Sequence, residues 1–148
     1  LSFANILWYN AAEKEGEKLS KSTTKLAIAF AFKELLLEKP LNKITINDIA
    51  EKCEMNSQTF YYHFHDIFEL TEWICESDAE RALSENRTYA TWQEGFLSIF
   101  NMIKKDKNFI INIYRNVPRD YLHRYLYKAT YQLHYDVLEE KAKGMVIR

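Results

Sequence analysis

Between Thr45 and Phe64 the chain runs Thr-Ile-Asn-Asp-Ile-Ala-Glu-Lys-Cys-Glu-Met-Asn-Ser-Gln-Thr-Phe-Tyr-Tyr-His-Phe, and few folds accommodate such a stretch. Ile46, Ile49, Ala50 and Cys53 recur at i, i+3, i+4 and i+7, the apolar face of a short helix that leaves Asn47 and Asp48 to water. Glu54, Met55 and Asn56 break that period, and either Asn56 or Ser57 is placed to cap a second short helix by accepting a hydrogen bond from its free N–H groups. In that second helix Phe60 and Phe64 stand four apart and point inward. Ser57, Gln58, Thr59, Tyr61, Tyr62 and His63 are left outside as hydroxyls, an amide, an imidazole and aromatic rings, with no acidic group among them. Two short helices joined by a three-residue turn, the second with an outer face of hydrogen-bonding groups, describe a helix-turn-helix with its reading helix.

The rest of the chain supports an all-α fold. Only three glycines and two prolines interrupt 148 residues, and no useful alternation of apolar and polar positions suggests a strand. A helix is expected over Ser22 to Glu38, with Ile28, Ala31, Phe32, Leu35 and Leu36 as its buried stripe; Pro40 disfavours helix at Lys39. Two short helices cannot persist alone, so this one is their support. After Asp66 the positions of Ile67, Leu70, Thr71 and Ile74 predict a further helix, followed by helices near Thr91 to Lys105, Lys107 to Arg115 and Arg119 to Lys143. The organisation read from this is an extension over residues 1–20, amphipathic through Phe3, Ile6 and Leu7, then a three-helix head over 21–66 and a helical body over 67–148.

Charge narrows the function classes. The formal net charge is -1, which argues against holding nucleic acid by bulk electrostatics. Residues 20–66 carry six lysines against six acids, whereas 67–100 carry a net -5 and 101–148 a net +5. A neutral head predicts weak non-specific binding, with affinity resting on a few phosphate contacts and on base readout, and it favours binding as a dimer in which two weak heads add. Cys53 and Cys75 each fall on an apolar face and read as small core residues in a reducing compartment. With no long apolar run and no leader-like start, the expected location is cytoplasmic, away from any membrane.

In its first half the sequence resembles the tetracycline-repressor family of transcriptional regulators. The first-helix pattern stands here as Thr24, Lys25, Ile28, Ala31, Leu35 and Leu36, the second as Thr45, Ile46, Asp48, Ile49 and Ala50, and the recognition helix as Thr59, Phe60, Tyr61 and Phe64, followed by Leu70. Leu70 to Trp73 and Thr91-Trp92-Gln93-Glu94-Gly95 are similar to a subgroup that includes dihydroxyacetone-kinase operon regulators. Three positions depart from the pattern. Glu54 replaces the usual turn glycine, Pro40 replaces the glycine before the second helix, and Ile67 stands where a phosphate-touching lysine is common.

The resemblance implies a homodimer on a double-stranded operator, with Thr45, Ser57, Gln58, Thr59, Tyr61, Tyr62 and His63 touching DNA. Ser57, Gln58 and Tyr62 are placed as base readers, and glutamine suits the N6 and N7 edge of adenine. Thr45, Tyr61 and His63 are placed as phosphate contacts. The resemblance also implies a small-molecule effector site in the body, for which Trp73, Trp92, Phe96, Phe109, Tyr114, Tyr121 and Tyr125 are the available lining. Family members continue for about two further dimerising helices, which the stretch ending at Arg148 is expected to lack.

Other classes fare worse. His63 and His65 project to opposite sides of a helix and make no common metal grip. No phosphate loop, cysteine–histidine arrangement or carboxylate pair in an apolar frame points to an enzyme, and no cofactor is expected. The competing reading is a ligand-binding co-regulator of the same fold that pairs with a true DNA binder and does not itself touch DNA.

Overall fold

A computed structural model describes residues 16–83, 86–88 and 90–146, all-α with no strand among them. The helices are α1 (Gly16–Glu38), α2 (Ile46–Lys52), α3 (Ser57–His63), α4 (Ile67–Leu83), α5 (Trp92–Lys105), α6 (Lys107–Asn116) and α7 (Arg119–Val146), with a single 3-10 turn at Leu41–Lys43. The amphipathic reading of residues 1–15 lies outside the described residues. α1 begins six residues earlier than its cap-type residues Ser22, Thr23 and Thr24 suggest, because Glu17, Lys18 and Leu19 are good helix formers and carry the helix through them.

The described residues form two compact units, one made of those up to Lys39 together with Lys43–Asp66, the other of Pro40–Asn42 together with those from Ile67 onward. In the first, α1 packs on both α2 and α3, and these two pack on each other. Its core contains the expected Ile28, Ala31, Phe32, Leu35 and Leu36 from α1, Ile49 and Ala50 from α2, Phe60 from α3 and Phe64 at its C-cap, together with Ala29 and Ile44; Ile46 of the expected α2 face is only half-buried. Phe32 is wholly buried, and the Phe60 and Phe64 rings lie 5.8 Å apart. Cys53 is half-buried and donates its thiol to the Ala27 carbonyl at 3.5 Å; burial raises its pKa, consistent with a core thiol.

In the second unit α4 packs on α5 and α7, and α6 joins α5 and α7. Leu70, Ile74, Ala79 and Leu83 are the buried apolar residues of α4; Leu83 clusters with Ile99 of α5 and Leu133 of α7, and Phe109, Ile113 and Tyr125 are buried as well. At Gly95 α5 runs close against the segment after α4: a Cβ there would stand 2.5 Å from the Asn86 carbonyl oxygen and 3.2 Å from Leu83 Cδ2. Polar ties flank the apolar seam between α4 and α7. Arg124 grips Glu72 through Nε at 2.9 Å and a second nitrogen at 3.3 Å, and Lys128 reaches Glu72 at 2.8 Å and Glu76 at 2.9 Å. Tyr125 donates its hydroxyl to the Phe68 carbonyl at 2.9 Å, and burial raises its pKa well above the ordinary tyrosine value.

Candidate nucleic-acid interface

The geometry of the first unit follows from three local devices. At the start of α2, Thr45 accepts from the Asp48 N–H at 3.1 Å while Asp48 accepts from the Thr45 N–H at 2.7 Å, a reciprocal capping box. Lys39 joins Asp48 at 2.8 Å, and with the Thr45 bonds it lowers that carboxyl from 3.8 to about 2. At the end of α2, Glu54 N–H bonds to the Glu51 carbonyl at 3.0 Å and Met55 N–H to the Ala50 carbonyl at 2.9 Å, the paired bonds of a Schellman stop. That stop requires a left-handed residue, and Glu54 supplies it at φ 57°. Asn56 then caps α3, accepting from the Thr59 N–H at 2.9 Å. Of the two caps the sequence left open, Asn56 is the one used.

Phe60 and Phe64 anchor α3, so its outward face is set by helical spacing alone. Gln58 and Tyr62 stand on the side away from them, and Tyr61 on a flank; Tyr61 is 58 % and Tyr62 67 % exposed. The expected hydroxyl readers behave differently. Ser57 donates to Asn47 Oδ1 at 2.5 Å, Thr59 to Asn56 Oδ1 at 3.1 Å, and Thr45 to Asp48 Oδ2 at 2.9 Å. Each hydroxyl has one proton, so all three are donors within the chain; their first role is to shape the motif.

The neutral charge sum of the head conceals a segregation. Lys52 pairs with Glu38 at 2.8 Å and lies 3.9 Å from Glu34, and Lys39 holds Asp48, so these charges balance one another between α1 and α2. Lys21 and Lys25 instead lie over α3 and its end: the Lys21 ammonium is 5.5 Å from the Tyr62 ring centre and that of Lys25 is 5.1 Å from the Phe64 ring. His63 sits on this edge, its ring against Tyr62 at 5.1 Å. Partial burial, then Lys25, then Lys21 lower its pKa, so the neutral imidazole is the form present near pH 7. Lys21 and Lys25 were not among the DNA contacts expected from sequence, because a charge sum carries no information about which side of the head each lysine occupies.

Comparison with known proteins agrees with this geometry. The profile for bacterial regulatory proteins of the tetR family matches residues 31–72, and that for a transcriptional regulator C-terminal region of the same family matches 90–148. The chain belongs to the tetR family. It is 31% identical over 91 residues to the HTH-type dhaKLM operon transcriptional activator DhaS of Lactococcus lactis subsp. lactis (strain IL1403), a match spanning 62% of this chain and 49% of that protein. The chain thus spans about half the length of this curated relative. A solved structure, the dihydroxyacetone kinase operon activator DhaS, superposes with a TM-score of 0.63 at 27% identity, over 82% of this chain and 67% of that one.

Within this tetR-family body, the residues expected to line a ligand site fall into different settings. Trp92 meets Phe96 edge-on at 5.9 Å, and Phe96 meets His134 at 5.6 Å. Tyr121 lies 5.1 Å from Phe68 and 6.3 Å from Tyr125, with the Arg124 guanidinium 4.6 Å over its ring. Phe109 is core and Trp73 is half-buried. Tyr114 is 73 % exposed, because Phe109 and Ile113 carry the buried stripe of α6 and the next position turns outward. Trp92, the first residue of α5, is 37 % exposed. Among the described residues no group of histidine, cysteine and carboxylate side chains is arranged to hold a metal ion, and no helix is long and apolar enough to cross a membrane.

Proposed function

We propose that this chain is a sequence-specific DNA-binding transcriptional regulator, acting as a homodimer in the cytoplasm by binding and not by catalysis, with DNA affinity set by a small ligand in the helical body. The observation that carries the reading is the outer face of α3. Gln58, Tyr61 and Tyr62 project from a helix locked by two buried phenylalanines, and Lys21, Lys25 and His63 line its edge. Gln58 and Tyr62 read bases; Tyr61, His63 and the two lysines hold phosphates. Thr45, Ser57 and Thr59 support the face, and donating their protons to DNA needs a change of partner. The dhaKLM activator relative supports a regulatory role, and the exposed side of α7, with Tyr127, Tyr131, Tyr135 and Leu138, offers a surface for the second protomer. For the ligand, the half-buried Trp73, Phe96 and Tyr121 offer aromatic faces in the body.

In a site-selection assay, Gln58→Ala relaxes the preference at one base pair by about 1–3 kcal/mol, whereas Tyr61→Phe weakens all sequences alike. Unchanged single-base preferences in Gln58→Ala would remove glutamine from the reading. A second reading, a co-regulator of the same fold that does not bind DNA, is favoured by one observation: three of the seven expected contacts spend their hydroxyl protons inside the chain. It requires that the folded dimer bind no duplex at low salt.

A further inference from the structure

The hydrogen bond between Ser57 and Asn47 is the one tie described between an exposed polar side chain of α2 and the first residue of α3. Asn47 itself is exposed, and nothing in the packing of the head requires an amide there. An asparagine amide has one acceptor oxygen and two N–H donors on opposite lobes. With Oδ1 held 2.5 Å from the Ser57 oxygen, the amide cannot rotate freely, and its Nδ2 donors are directed away from Ser57. A free surface asparagine would lose that orientation to solvent; this one is fixed beside the reading helix.

We infer that Asn47 is an additional DNA-contacting residue, presenting its two N–H donors to an acceptor oxygen of the duplex, and that Ser57 is the residue that positions it. The inference rests on the DNA-binding reading above and extends the contact surface from α3 onto α2. It also specifies the chemistry. An asparagine that reads adenine needs Oδ1 to accept and Nδ2 to donate side by side. Here one Oδ1 lone pair is taken by Ser57, so the Nδ2 donors are the groups left most available, and they suit a phosphate oxygen or the acceptor edge of guanine or thymine. The local field permits this. Asp48, the acid next in sequence, is tied to Lys39 at 2.8 Å and to the Thr45 N–H and hydroxyl, so its charge is locally compensated.

The test is a double-mutant cycle read by site selection and by affinity for the selected duplex, on the full chain. Asn47→Ala removes the donors at a site where alanine is a good helix former, and Asn47→Asp keeps the shape and the bond from Ser57 while replacing donors by a carboxylate. The expected loss is about tenfold for Asn47→Ala and larger for Asn47→Asp, with melting temperatures within a few degrees of the parent. Ser57→Ala should lower affinity too, and Ser57→Ala with Asn47→Ala should cost no more than Asn47→Ala alone, since the serine acts through the asparagine. A loss uniform over sequences identifies a phosphate partner, and a loss confined to one guanine or thymine position identifies a base. A Ser57 that is merely structural would lower the melting temperature and add its effect to that of Asn47, which would overturn its positioning role. Unchanged affinity and preference in both Asn47 variants, with the parent binding its site normally, would overturn the inference and leave the DNA-binding reading intact. A folded parent that binds no duplex would remove both.

Discussion

Glu54 is the position where sequence and backbone are in open conflict, and replacing it by glycine should stabilise the protein. The Schellman stop after α2 places this residue at φ 57°, where a Cβ crowds the following carbonyl at a cost of about 1–2 kcal/mol that glycine does not pay. Glycine returns part of that gain through the greater freedom of the unfolded chain, about 0.4–1 kcal/mol. The net expectation for Glu54→Gly is a stabilisation of about 0.5–1 kcal/mol. For a domain of this size that raises the melting temperature by about 2–5 °C. Glu54 is exposed, so no buried contact is lost. The assay is thermal and urea unfolding followed by circular dichroism, with Glu54→Ala as control, because alanine keeps the Cβ and should resemble the parent. The reasoning is refuted if glycine is no more stable than alanine, which would mean that this turn does not hold its residue in the left-handed region.

Three further outcomes follow from the packing and the charges. Gly95→Ala forces a Cβ to 2.5 Å from the Asn86 backbone carbonyl, so unfolding experiments should show it destabilised by about 1–3 kcal/mol, against the usual gain from alanine in a helix. Tyr125→Phe removes the hydroxyl from the Phe68 carbonyl and should cost about 1–2 kcal/mol by the same assay, with the secondary structure retained. His63 has a folded pKa below its usual 6.5, so the unfolded chain binds the proton more readily; stability is full above about pH 6.5 and falls as pH drops from there through the depressed value. Unfolding titrations of His63→Gln should show a flatter stability profile over that window, and high salt should shrink only the share of the difference that comes from Lys25 and Lys21.

Much of the head was legible from spacing because burial follows periodicity: Ile49, Ala50, Phe60 and Phe64 are core for the reason the intervals imply. The turn was legible too, since Glu54-Met55-Asn56 falls out of period and Asn56 is a cap type. What sequence spacing could not convey was the use of each polar group. Whether Thr45, Ser57 and Thr59 spend their protons on DNA or on Asp48, Asn47 and Asn56 depends on angstrom-scale distances between neighbouring turns. The position of Lys21 and Lys25 beside α3 was hidden for a related reason, because it depends on how α1 crosses that helix. In the body, helical periodicity marked Phe109 correctly as inward but did not show that Tyr114, one step beyond the buried Ile113, is exposed.

Duplex binding as a function of salt tests the central claim most directly. A folded dimer of this chain, titrated with a selected duplex and with random duplex, should prefer the selected one, and its affinity should weaken as salt rises, with a slope reporting only a few released counterions per head. Removing Lys21 and Lys25 together should lower that slope by about two per head. The account is contradicted if the folded dimer binds neither duplex at low salt, or binds both equally.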